Sequence, residues 1–173
     1  GCVYSGVPIV FMKKFTAADA LKIMEEEKIT TMIGVPTIMW LMLNVPEFDH
    51  NKLRSFRCFA AGGSATPEEL LKACRDKLPG FELCPGYGLS EACGMVLTTV
   101  SLDDALSHKG SVGRTIPLIE TKVVDTSEKT LPLGEAGELL VRGCLVFKEY
   151  WNNPEATRKT LVDGWVHTGD VGK

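Results

Sequence analysis

Apolar and polar positions along this chain change period repeatedly, and the changes mark its elements. Gly6 to Met12 is a short apolar run with β-branched residues and reads as a buried strand. Thr16 with Asp19 three positions on is an N-cap signal, and Ala17, Ala20, Leu21 and Met24 follow at helical spacing. They predict a helix to about Lys28, with Glu25, Glu26 and Glu27 in solvent. Thr30 to Gly34 reads as the next buried strand, and Pro36 as the first turn of a helix that continues to Asn44. Phe56 to Ala61 is a further strand that runs into a loop, Gly62-Gly63-Ser64. Thr66-Pro67-Glu68-Glu69 has the form of a capping box with Pro at the first helical position. Pro67, Leu70, Leu71, Cys74 and Leu78 give that helix its buried stripe, and Pro79-Gly80 stops it. Phe81 to Cys84 is a fourth strand, leading through Pro85 into Gly86-Tyr87-Gly88-Leu89-Ser90-Glu91.

The strand–helix alternation predicts an α/β class, with a parallel strand–helix layer over about residues 1–105. Near His108 the pattern changes. Ser111 to Arg114 reads as a loop, and Glu120 to Asp125 and Gly137 to Gly143 as strands joined by a polar turn. Asn153-Pro154-Glu155 opens a short helix to about Leu161. Asp163-Gly164 is a turn signal, and Trp165 to His167 a strand ending in Thr168-Gly169-Asp170. Residues 106–173 are therefore expected to form a small antiparallel, barrel-like β-rich portion, with a subdomain boundary at residues 103–110.

Composition narrows the function classes. The 173 residues are 45% hydrophobic, enough for a real core. The formal charge is −3, from 19 basic and 22 acidic residues without a long single-sign run, which argues against a nucleic-acid surface or a polybasic membrane patch. Cys2, Cys58, Cys74, Cys84, Cys93 and Cys144 show no C-x-x-C spacing and no zinc-finger histidine, so they read as free thiols in a reducing, cytoplasmic setting. Ile33 to Val45 is too short to cross a bilayer and contains Pro36.

Two glycine-containing loops thus follow strands, at the carboxyl ends where parallel sheets bind ligands. In Gly86–Glu91, two glycines, an aromatic ring, a hydroxyl and a carboxylate share a few positions. No packing pattern asks for that mixture. A site that stacks a ring, admits backbone to a ligand and offers oxygen to a metal does. Taken singly, these residues have plainer uses. Ser90-Glu91 would serve equally as a helix cap, Asp170 after Gly169 as a turn residue, and Gly62-Gly63 as a strand-to-helix turn. His50, His108 and His167 have no identifiable partner acid and read as structural, and Arg142 as a solvent-facing strand residue.

Several segments in order resemble the large amino-terminal domain of the adenylate-forming (AMP-binding) enzymes, the superfamily of acyl-CoA synthetases, luciferases and peptide-synthetase adenylation domains. They are Val35-Pro36-Thr37, Ala61-Gly62-Gly63-Ser64, Gly86–Glu91, Ser111–Arg114, Gly134-Glu135-Ala136-Gly137-Glu138-Leu139, Tyr150–Thr157 and Gly164–Asp170. The resemblance covers essentially the whole chain. It implies an acyl-CoA synthetase that joins a fatty or other carboxylic acid to ATP as acyl-AMP, then passes the acyl group to coenzyme A. It implies that Tyr87 stacks on adenine, that Gly86 and Gly88 admit backbone, and that Gly62, Gly63 and Ser64 line the adenine and acyl pocket. Ser90 would touch the α-phosphate, Glu91 would help hold Mg²⁺, and Asp170 would accept from both ribose hydroxyls. Met39, Leu89, Cys93 and Met95 are further expected wall residues. Ser90 and Ser64 depart mildly from the Thr and Ala common at those places.

Other family parts have no counterpart in the sequence: the phosphate loop ending in Pro-Lys-Gly, the hinge, and the carboxy-terminal domain with its catalytic Lys. The chain also lacks an initiating Met and stops just after a turn motif. The expectation is a central fragment of the large domain, catalytically inactive by itself, with the missing parts of the same polypeptide as partners. The competing expectation is a stand-alone nucleotide-binding or interaction domain without catalysis. A Rossmann dehydrogenase is disfavoured because no G-x-G-x-x-G follows the first strand.

Overall fold

The computed structural model describes residues 2–173, with side chains from Tyr4 onward. A single helical turn, α1 (Cys2–Ser5), precedes α2 (Ala17–Glu26). The Thr16 hydroxyl accepts the Asp19 N–H at 3.1 Å, satisfying one of the unpaired donors at the start of α2. Ala20, Leu21 and Met24 are the buried stripe that their spacing foretold. There follow β1 (Thr31–Gly34), α3 (Pro36–Leu43), β2 (Cys58–Ala61), α4 (Glu68–Lys77) and β3 (Glu82–Leu89). The strands β1, β2 and β3 pair in parallel. Phe59 of β2 and Leu83 of β3 are fully buried in a core that also takes Met39, Leu70 and Cys74 from the helices.

Strand β3 changes partner in mid-course. Through Pro85 it runs parallel to β2; from Gly86 to Leu89 it runs antiparallel to β4 (Gly94–Thr98), with a register shift between Tyr87 and Gly88. Pro85 suits the changeover, because it brings no N–H that would need a partner. Its carbonyl accepts both the N–H of Thr99, at 3.0 Å, and the Thr99 hydroxyl, at 3.2 Å. The stretch expected as a loop is therefore strand as far as Leu89. The chain turns only at Ser90–Ala92, one 3₁₀ turn. After α5 (Leu102–Ser107), β5 (Arg114–Thr115) completes a five-stranded sheet in the order β1-β2-β3-β4-β5.

The second sheet is antiparallel throughout. It contains β6 (Ile119–Val124), β7 (Gly137–Gly143), β8 (Leu161–Val162) and β9 (Trp165–Gly172), in the order β6-β7-β9-β8. Helix α6 (Pro154–Thr160) leads into it, and Asn153 caps that helix by accepting the Ala156 N–H at 3.1 Å. Ile119, Val141 and Val166 of this sheet share one apolar cluster with Ala92 and Val96, and Tyr87 and Leu89 pack against it. That cluster fastens the second sheet to the β3–β4 hairpin. The α/β layer followed by a curled antiparallel sheet is the class read from the sequence, with β4 and β5 making the first sheet mixed.

Several local expectations are corrected. Gly6 to Met12 forms no strand: Val7, Ile9, Val10 and Phe11 are exposed, and no described strand pairs with the segment. An apolar run without a ladder partner has nowhere to place its backbone donors and acceptors except water. Strand β1 is an edge with Ile33 78% exposed, not a buried strand. The capping box at Thr66 is not made. Pro67 is itself the N-cap, in extended backbone at ψ 143°, so Thr66 stands one position too early. Pro67 is exposed, and Glu68 pairs instead with Lys72 at 2.7 Å and Lys109 at 2.9 Å. Cys58, Cys74, Cys84, Cys93 and Cys144 are free thiols as expected, and Cys2 lies outside the described side chains. Among the described residues, no helix is long and apolar enough to cross a membrane.

Candidate functional site

The two sheets meet at Tyr87 and Asp170. Tyr87 stands on the half of β3 that has left β2, where its half-buried ring rests on the shared apolar cluster. Its hydroxyl donates to Asp170 Oδ2 at 2.5 Å, joining residues that are 83 positions apart. Asp170 itself is exposed. It sits on a bulge that the strand pairing creates. Between two paired positions, β7 advances from Glu138 to Leu140 while β9 covers Val171 to His167, so Thr168, Gly169 and Asp170 stand out of the ladder. Gly169 is left-handed there, at φ +73°, which glycine adopts without penalty. The Thr168 hydroxyl donates to the Leu139 carbonyl at 2.7 Å and accepts the Asp170 N–H at 3.1 Å.

Burial, and then the carboxylate that accepts its proton, push the Tyr87 phenol up to about 12 from 10. A folded-state value above the unfolded one means that this group's contribution to stability is fully present below pH about 10. It fades as pH rises towards about 12. Ring-labelled tyrosine NMR is expected to show Tyr87 ionising near pH 12, well above the ordinary phenol value of 10. Asp170→Ala should move Tyr87 only part of the way back, because burial is the larger cause. A Tyr87 that ionises near pH 10 would mean that the contact does not persist in solution.

Glu91 occupies the 3₁₀ turn at the far end of the same strand. Its carbonyl accepts the Phe147 N–H at 2.7 Å, and its Oε1 accepts the Tyr150 hydroxyl at 2.5 Å. That bond, with burial, also raises the Tyr150 phenol above its usual value. Tyr150 is fixed in turn by the Thr157 hydroxyl, which accepts its N–H at 2.9 Å, and by the Phe147 ring 4.7 Å away. No hydrogen bond among the described residues reaches Glu91 Oε2. Ser90 is exposed, and neither it nor Glu91 caps a helix: Leu89 holds the cap position and no side chain bonds there.

The glycines divide by cause. A Cβ on Gly88 would lie 2.1 Å from the Gly94 oxygen and 2.8 Å from Met95 Cα, so the β3–β4 pairing already requires Gly at that place. A Cβ on Gly86 would lie 3.0 Å from the Leu97 oxygen. Gly63 is left-handed at φ +79°. At Gly62 the nearest atom to a Cβ would be the Gly86 oxygen, 3.7 Å away, which is ordinary contact and no packing reason for glycine. The same distance places the Gly62–Ser64 loop beside the Gly86–Leu89 strand. Ser64 is exposed and lines a cavity of about 400 Å³, with Pro36, Trp40, Ala65, Pro67 and Leu70. Met39, expected as a wall residue, is instead core.

Sequence reasoning missed Tyr150 and Glu138. Both lie inside quoted motifs, but each acts on a partner distant in sequence, and no spacing announces that. Glu138 Oε2 meets His167 Nδ1 at 3.1 Å, and His108 Nδ1 lies 3.1 Å from Asp104, so two histidines read as lacking partner acids have them. Arg142 is solvent-facing as expected, set over the Trp165 ring and paired with Glu120 at 2.6 Å.

Comparison with known proteins places the chain in a family. The family model described as AMP-binding enzyme matches residues 1–151. A long-chain-fatty-acid–CoA ligase of Mycobacterium tuberculosis, FadD13, is 36% identical over 168 residues, which cover 97% of this chain and 33% of the relative. The amino-terminal domain of FACL13 from the same organism superposes with a TM-score of 0.90 at 35% identity, over 99% of this chain and 43% of that one. The Bacillus subtilis O-succinylbenzoate coenzyme A synthetase, solved with ATP and magnesium, superposes with a TM-score of 0.87 at 29% identity, over 99% of this chain and 34% of that one. The chain thus spans about a third of the length of the curated relative. With the family model matching most of its length and the superpositions running through both sheets, the chain belongs to the AMP-binding enzyme family.

Proposed function

We propose that this chain carries the adenosine-facing and metal-facing half of the adenylation site of an acyl-CoA synthetase, a cytoplasmic enzyme that converts a carboxylic acid through acyl-AMP to acyl-CoA. The observation that carries the reading is the Tyr87–Asp170 contact, which brings an aromatic face and an exposed carboxylate from two sheets to one place. Tyr87 supports adenine through its ring. Asp170 accepts from the ribose hydroxyls; each carboxylate oxygen has capacity for a second donor beside Tyr87. Ser90, exposed and uncommitted, faces the α-phosphate. Gly62, Gly63 and Ser64 line the adenine and acyl pocket with Gly86, and Gly88 lets β4 pack close beneath it. The ligase relatives and the ATP- and magnesium-bound neighbour support this assignment.

The residues present suit Mg²⁺ as a partner of ATP. Among the described residues no group of three or more His, Cys, Asp or Glu could hold an ion by itself. Glu91 offers one carboxylate oxygen, and Mg²⁺ commonly takes one or two carboxylates with the rest of its shell from phosphate and water. When bound, it neutralises phosphate charge during adenylation. Glu91 supplies that oxygen while Tyr150 holds the other.

We place an α/β subdomain up to about residue 105 and a β-rich one after it, within one larger domain. The remaining parts of the enzyme complete the site, and this chain alone releases no pyrophosphate. A panel of carboxylic acids with ATP and CoA, read by pyrophosphate release from the full-length enzyme, tests the reading. Turnover with at least one acid is expected. Nucleotide binding without pyrophosphate release from any acid would favour a binding domain without catalysis.

A further inference from the structure

We infer that Glu138 is the positioning residue for the Thr168–Asp170 bulge, setting the direction in which Asp170 meets the ribose. The inference rests on the reading of Asp170 given above. The strand pairing creates the need for such a residue. Where β7 and β9 fall out of register, the N–H groups of Gly169 and Asp170 turn to side-chain acceptors. The Leu139 carbonyl on β7 accepts the Thr168 hydroxyl at 2.7 Å. The Gly169 N–H goes instead to Glu138 Oε1 at 3.0 Å. The other oxygen of the same carboxylate meets His167 Nδ1 at 3.1 Å.

One side chain therefore holds the residue before the bulge and the residue in its middle. The middle one, left-handed at φ +73°, immediately precedes Asp170. A charged acceptor makes a stronger bond to a backbone N–H than a neutral one. Glu138 and His167 are both largely shielded from solvent, with side chains 34% and 18% exposed. Removing Glu138 leaves the exposed Gly169 N–H to water, without a fixed acceptor, and frees the peptide that aims Asp170.

The test is the preference of the full-length enzyme for ATP over 2′-deoxy-ATP, as a ratio of kcat/KM values. Loss of folded protein scales both substrates equally and does not move this ratio. Glu138→Ala is expected to lower it roughly tenfold. Glu138→Gln should retain most of it, because its carbonyl oxygen can still accept from Gly169. If the Ala variant is insoluble, Glu138→Asp keeps the charge but withdraws it by one methylene, and the same loss is expected. An unchanged ratio in Glu138→Ala or Glu138→Asp, while Asp170→Ala collapses it, would overturn the positioning role and leave the ribose assignment standing. An unchanged ratio in Asp170→Ala would overturn the ribose assignment, and the positioning role with it.

Discussion

Asp170→Ala is expected to lower kcat/KM for ATP in the full-length enzyme by about a hundredfold. In the proposed role Asp170 makes two charge-assisted hydrogen bonds to ribose, which together contribute on the order of 3 kcal/mol. Asp170 is exposed and its side chain meets only the Tyr87 hydroxyl, so the fold should tolerate the change. Urea unfolding of the variant is expected to show a loss of no more than about 1 kcal/mol, that of one exposed hydrogen bond. Steady-state kinetics at varied ATP supply the other measurement. A variant that loses activity and stability together would return Asp170 to the role of a turn residue.

Gly88→Ala should have the opposite signature, with the loss in stability. Its Cβ would be placed 2.1 Å from a backbone oxygen of β4, an atom that cannot swing aside as a side chain can. Relief requires the β3–β4 hairpin to open, at a cost of about 3 kcal/mol. Gly62→Ala is the control. Its Cβ meets nothing closer than 3.7 Å, so stability should stay within about 0.5 kcal/mol of wild type. A drop in nucleotide affinity at unchanged stability would mark Gly62 as a pocket wall. If Gly88→Ala unfolds at the wild-type urea midpoint, the close approach of Gly88 to the Gly94 carbonyl is absent in solution.

These two glycines show where sequence was a sufficient guide and where it was not. Both stand in motifs that resemble the family's, Gly88 read as admitting backbone to a ligand and Gly62 as lining the pocket. Only the paired geometry reveals that Gly88 faces its own hairpin while Gly62 faces open space beside Gly86. Helix α2, its Thr16 cap, helix α6 and its Asn153 cap were legible because their signals are local: a capping side chain and a 3.6-residue stripe. The strand β4 and helix α5 were missed although signals existed. Met95 to Thr98 is a short β-rich run, and Ser101 caps α5 by accepting the Asp104 N–H at 3.0 Å. The Thr66 signal misled because Pro67 holds an extended ψ and starts the helix one residue later.

The site was legible as a set of residue types and not as an arrangement. Tyr87, Glu91 and Asp170 could be named from their motifs. That Asp170 bonds the Tyr87 hydroxyl, and that Glu91 shares its carboxylate with Tyr150, depends on β3 leaving one sheet and packing on the next. Neither partner lies within a helical turn or a strand period of the other, so no periodicity could pair them. The bulge at Thr168–Asp170 was equally hidden, since it arises from a mismatch between β7 and β9 rather than from a turn sequence.

The central claim is that Tyr87 and Asp170 form one adenosine-binding surface, and titrating the ¹⁵N-labelled chain with AMP tests it most directly. Weak, saturable binding is expected, with amide shifts concentrated at Gly86–Gly88 and Gly169–Val171 and lost in Asp170→Ala. Saturating shifts elsewhere, or none at either segment at the highest soluble AMP concentration, would contradict it.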